Sequence, residues 1–179
     1  MKLNYRKICL GLLVIGSALT FSSCKEDNDD PEFAMSDQEF VNRASSSNMF
    51  EIAAGNLAIS KGVNAEIKSY GNHMVTDHSA EATEMMNLAR SKGWNIPETM
   101  MDKERQQMEK LNNLTGNAFE KEFVNIMVMS HQDAVALFNL AGSPMGVPDP
   151  DLRTMANNKV PTLKMHLEHA TALKTLINP

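Results

Sequence analysis

Cysteine is almost missing from this chain: Cys9 and Cys24 are the two that 179 residues contain. Both lie near the N-terminus, so no disulfide framework can staple the remaining residues, and a domain there must rely on its own apolar core. Basic residues are also scarce, 17 Lys and Arg against 22 Asp and Glu. That balance argues against a nucleic-acid surface and against adsorption to anionic lipid. No run of alternating β-branched residues and no hairpin signal occurs, which disfavours a β architecture. Nor is there a Gly-x-Ser-x-Gly elbow, a phosphate-binding glycine loop or a nucleophile triad, so covalent catalysis has no candidate.

What is present begins with an address. Lys2, Arg6 and Lys7 flank an apolar run, "ICLGLLVIGSALTF", from Ile8 to Phe21. The run is too short for a membrane span and suits a signal peptide over residues 1–23. "SSC" then places small residues before Cys24, like the lipobox of a bacterial lipoprotein, in which that cysteine becomes the acylated first residue. Phe21 stands where leucine is more usual. Residues 24–35 form an acidic tether whose core, "KEDNDDPE", is poor in apolar residues. It also resembles a surface-export signal behind a lipidated cysteine, and the expected location is the outer membrane, facing periplasm or surface. Loss of residues 1–23 leaves 156 residues and takes three basic residues, giving 14 against 22 acidic, a net charge of −8. Membrane contact is then expected through the lipid anchor alone, with no nucleic-acid partner and no protein partner indicated.

From residue 36 onward the apolar spacing is helical. The first helix is expected from Ser36 to Lys61, stopped by Gly62, and the second from about Asn64 to Lys92, closed by Gly93. "WNIPE" breaks the chain. A short helix is next, from about Thr99 to Asn113, with Thr99 and Asp102 spaced as a capping box. A third long helix opens on Asn117, with Glu120 reaching back, and runs to Ala141. The fourth covers about Asp149 to Ile177, with a kink or break expected at Pro161. The fold class is therefore all-α: a four-helix bundle over residues 36–179 with an extra short helix in the second connection. That connection exceeds 20 residues, enough to carry the chain along the bundle, as in ferritin-like topology.

Steps of three and four residues trace one inward stripe per long helix. They run through Phe40, Ala44, Ser47, Glu51, Ala54 and Ala58; through Ile67, Gly71, Met74, His78, Ala82, Met85 and Ala89; through Val124, Met127, His131, Ala134, Phe138 and Ala141; and through Leu163, His166, Ala170, Leu173 and Ile177. Each stripe carries one ionisable residue: Glu51, His78, His131 or His166. Asp77 sits beside His78 at the stripe's edge. Counting from the turns puts the four at comparable heights, consistent with one polar layer.

Phe40, Glu51 followed by Leu57-Ala58, Asp77-His78, Pro97, Phe119, His131 and "PTLKMHL" from Pro161 to Leu167 together resemble one family of exported bacterial proteins. It is domain of unknown function 4142, often labelled outer membrane proteins. The resemblance covers about residues 37–177. It implies a ferritin-like fold and an exported compartment, and brings no activity, so the site must be argued from chemistry.

A di-iron centre needs several carboxylates and usually Glu-x-x-His on two helices. No histidine here has glutamate three residues before it, and one inward glutamate, Glu51, is expected; di-iron is disfavoured. The reading favoured by the residues is a binding or structural module, not an enzyme, whose buried layer satisfies itself, Glu51 pairing with one histidine and Asp77 with another. Replacing His131 by alanine would then destabilise the protein with or without metal. The alternative is a Zn²⁺ or Cu²⁺ site built from the three imidazoles and a carboxylate, with Asp77 as ligand or as acceptor for an imidazole N–H. An enzyme of undefined reaction ranks third. Thirteen methionines remain after Met1; thioethers suit Cu(I) or Ag(I), but most of these fall to core packing.

Overall fold

Helix signals in the sequence are met by matching caps. The Ser36 hydroxyl accepts the Glu39 N–H at 3.1 Å and opens α1, Asp37–Lys61. The Asn64 side chain accepts the Glu66 N–H and opens α2, Ala65–Lys92, which ends on Gly93 in the left-handed region (φ 75°). Asp149 accepts the N–H groups of Asp151 and Leu152 and opens α5, Pro150–Ile177, with Pro150 in the first turn where its missing N–H costs nothing. Between them lie α3, Asp102–Asn112, and α4, Gly116–Ala141. The computed structural model describes residues 32–178, and no strand occurs among them. No helix among the described residues is long and apolar enough to cross a membrane.

Two local expectations fail for identifiable reasons. The short helix starts at Asp102 rather than Thr99, after an uncapped Met101 whose N–H is taken by the Ser46 hydroxyl on α1 at 2.8 Å. Glu120 does not cap its own helix. Its Oε1 crosses to the α1–α2 turn and accepts the Val63 and Asn64 N–H groups at 2.7 and 2.6 Å. At Pro161, where a kink or break is expected, α5 has no break.

Contacts at the two ends establish the connectivity. At one end, Lys61 closing α1 donates to the carbonyls of Leu111, Asn112 and Leu114, beside the Glu120 contact. At the other, Gln38 exchanges hydrogen bonds with the Asn95 backbone, and Ala34 and Met35 donate to Met145 and Gly146. The segment after α2 therefore travels the length of the bundle before α4 begins, so α2 and α4 run the same way. This is ferritin-like connectivity.

Two apolar clusters fill the interior. One gathers Phe40, Met85, Phe138, Val147 and Leu152 near the start of α1; the other gathers Phe50, Tyr70, Phe119, Phe123 and Leu173 near its end. Between them each long helix contributes a polar side chain. The α1–α2 pair comes close enough for this because glycines meet: a Cβ on Gly71 would stand 2.7 Å from the Gly55 carbonyl oxygen, and one on Gly55 2.8 Å from that of Gly71. Two turns from that contact on each antiparallel helix, seven residues back and seven on, stand Asn48 and His78.

Candidate metal centre

The four stripe residues are all buried: Glu51 1 %, His78 3 %, His131 0 % and His166 4 % exposed. They share one layer. The imidazole centroids of His78, His131 and His166 lie 5.7, 5.4 and 5.3 Å apart pairwise. One ligand atom from each ring lies within 4.8 Å of the other two.

Each ring is held by one nitrogen and leaves the other free. His78 Nδ1 meets Asn48 Oδ1 at 2.8 Å. His131 Nδ1 meets the Met127 carbonyl, one turn back, at 3.0 Å. His166 Nε2 meets Asp77 Oδ2 at 2.9 Å. All three partners are acceptors, so each held nitrogen carries the proton and donates. The remaining nitrogens, His78 Nε2, His131 Nε2 and His166 Nδ1, have no hydrogen-bond partner, nor does Glu51 Oε2. Three lone pairs and a carboxylate oxygen are thus left in one buried layer.

The expected self-satisfied network is only half present. Asp77 takes His166, as a carboxylate at the layer's edge can. Glu51 instead accepts the Ser130 hydroxyl and stands 3.9 Å from His131 Nδ1, too far for a hydrogen bond. The expectation of a single inward glutamate also fails, because Glu81 and Glu120 are buried. Asn48, Ser130 and Glu81 were not expected in the layer, yet local signals exist for each. Asn48 lies three residues before Glu51, Ser130 adjoins His131, and Glu81 stands three after His78, the reverse of the Glu-x-x-His order. Asn48 joins the histidine to the second glutamate: its Nδ2 donates to Glu81 Oε1 at 3.3 Å while its Oδ1 accepts from His78.

Burial sets the charge states. It holds His131 down to about 4 against a small opposing effect of the Met127 carbonyl. It holds His78 well below the ordinary imidazole value, helped by the other two imidazoles, and depresses His166 despite Asp77. All three rings are neutral near pH 7, the form that ligates metals. Glu51 is pushed up to about 7 by burial, opposed by the Ser130 hydrogen bond.

Glu81 is likewise pushed up to about 7 by burial, with Lys159 and Asn48 opposing. A carboxyl raised in the folded state contributes stability below its unfolded pKa and loses it as pH climbs through the folded value. Metal-free E81Q protein is therefore expected to lose less melting temperature than the parent between about pH 5 and pH 8. Parallel thermal melts in chelator check this; identical slopes would remove Glu81 from the buried titrating groups.

A family profile described as "Domain of unknown function (DUF4142)" matches residues 22–173. No curated protein matches the chain. A crystal structure of a DUF305 fragment from Deinococcus radiodurans is similar in fold, with a TM-score of 0.67 at 14 % identity, covering 81 % of this chain and 99 % of that one. At that identity the likeness speaks for the helical bundle alone.

Proposed function

The chain belongs to the DUF4142 family, a domain of unknown function, and from that premise we propose that it binds one transition-metal ion, Zn²⁺ or Cu²⁺, at His78, His131 and His166. One observation carries this: three buried imidazoles, each anchored by a protonated nitrogen, leave their other nitrogens unpartnered in one layer. Leaving a buried acceptor unpaired costs about 1–3 kcal/mol, and a cation relieves all of them together.

The dimensions fit. With metal–nitrogen bonds of about 2.0–2.1 Å, three imidazoles in a tetrahedral site have centroids roughly 5.2 Å apart; the rings stand at 5.3–5.7 Å. Asn48, the Met127 carbonyl and Asp77 act as the outer partners that set tautomer and ring angle. Glu51 is not part of the three-histidine group, so three protein ligands leave the fourth position open. Three neutral nitrogen donors suit Zn²⁺ or copper and not Mg²⁺ or Ca²⁺, which prefer oxygen. Elemental analysis of the untagged domain, purified without chelator, is expected to find one tightly held ion per chain; metal-free protein that takes up neither Zn²⁺ nor Cu²⁺ in calorimetry would falsify the reading.

We further propose that the bundle is held at the outer membrane as a lipoprotein. Support comes from the basic start, the apolar run and Cys24, all of which lie outside the described residues. Cys24→Ser is expected to give soluble or unprocessed protein. If the variant partitions into detergent as the parent does, Cys24 is not the anchor.

A further inference from the structure

The two histidines outside the layer, His73 and His169, lie on the wall of a cavity of about 220 Å³ that they share with Asp77, Met165 and His166. His73 is exposed and His169 half-buried. Their ring centroids lie 6.1 Å apart, with the planes tilted by 53°. The position of His169 is set by Tyr70, whose ring meets it edge-on at 4.9 Å. Asp77 reaches the same space with 41 % of its side chain exposed. Two imidazoles and a carboxylate line this surface opening, donor types that suit the same class of ion as the buried layer.

His166 connects the two places. Its Nε2 is held by Asp77 on the cavity wall, and its Nδ1 is one of the unpartnered nitrogens of the layer. One imidazole therefore stands between an exposed donor pair and a buried triad. We infer that His73, His169 and Asp77 form a loading site, which captures a Zn²⁺ or copper ion at the surface and passes it inward past His166. Capture asks little of the protein. Two imidazoles on one ion have centroids about 5–6 Å apart, depending on the angle at the metal, and His73 is free to close the remainder. Engagement of the Asp77 carboxylate by the ion weakens its hold on His166 Nε2. The ring is then free to turn, which gives the ion a way into the layer without opening the bundle.

The inference rests on the triad reading for the ion's destination, so the test separates the two. The probe is Zn²⁺, read by stopped-flow competition with a chromophoric chelator and by equilibrium titration. Loading of the parent domain is expected to saturate with Zn²⁺ concentration, and H73Q/H169Q is expected to slow it at least tenfold. In H131L, where the triad is incomplete, one weak Zn²⁺ site is expected to remain and to disappear in H73Q/H169Q/H131L. A parent that binds no Zn²⁺ at the layer while H131L keeps the weak site defeats the triad and leaves the surface site standing. Loss of the weak site in H131L, or an unchanged loading rate in H73Q/H169Q, overturns the loading site. The glutamine substitutions sit on exposed and half-buried positions, and far-ultraviolet circular dichroism with a melt confirms that each variant is folded.

Discussion

Leucine at position 131 is expected to raise the melting temperature of the metal-free domain and to cut the gain that Zn²⁺ confers to the small increment of the weak surface site. The reason lies in what His131 leaves behind. Its Nδ1 donates to the Met127 carbonyl, which already accepts a backbone N–H within α4, so no partner is orphaned when the ring goes. Its Nε2 has no partner at all. A leucine of similar volume thus removes an unpaired buried nitrogen and exposes no other, a change worth about 1–3 kcal/mol to the metal-free form, or roughly 2–10 °C. Binding to the folded state alone adds RT ln(1 + [L]/Kd), about 2.7 kcal/mol at a hundredfold excess over Kd. Thermal melts of parent and H131L, with chelator and with Zn²⁺, read both effects. A destabilised variant, beside a parent that gains nothing from Zn²⁺, would return the layer to the self-satisfied network that the residue pattern alone favours.

Asn48→Leu should act in the opposite direction on stability. This one amide holds two buried groups, accepting from His78 Nδ1 and donating to Glu81 Oε1. Leucine leaves both unsatisfied, a loss of about 2–4 kcal/mol, or roughly 5–15 °C in melting temperature. It also frees the His78 ring to turn, and removal of such an outer partner typically lowers metal affinity about 10–100-fold. Calorimetric titration of N48L with Zn²⁺, beside its melt in chelator, gives both numbers. Full affinity in a destabilised protein would make Asn48 a packing residue only. Asn48→Asp provides the control, since it keeps the acceptor for His78 while altering the contact to Glu81.

The helices and their inward faces were legible in the chain itself. Ser36, Asn64, Gly93 and Asp149 act locally, through hydrogen bonds and backbone angles within a turn of themselves, so their meaning survives without the rest of the molecule. Periodicity likewise turns Glu51, His78, His131 and His166 inward, because a stripe is a property of one helix. The length of the second connection was enough to suggest ferritin-like connectivity. Local signals failed where a distant group intervened. Thr99 and Asp102 have capping-box spacing, but Ser46 on α1 takes the Met101 N–H, and Glu120 serves the α1–α2 turn rather than its own helix.

Only the tertiary structure decided what the layer can do. Whether four inward polar groups satisfy one another depends on relative heights and ring rotations across four helices, to within about half an ångström. No single-helix pattern contains that information. The close meeting of Gly55 and Gly71 set the heights of Asn48 and His78. Ser130 drew Glu51 away from the histidines. The Met127 carbonyl, a backbone atom invisible to any residue pattern, took the proton side of His131. Each of these turned an expected acceptor or donor elsewhere and left three imidazole nitrogens without partners in one layer. The sequence placed histidines in a core; the packing decided which of their nitrogens find partners and which do not, because hydrogen-bond direction is a property of the assembled interior.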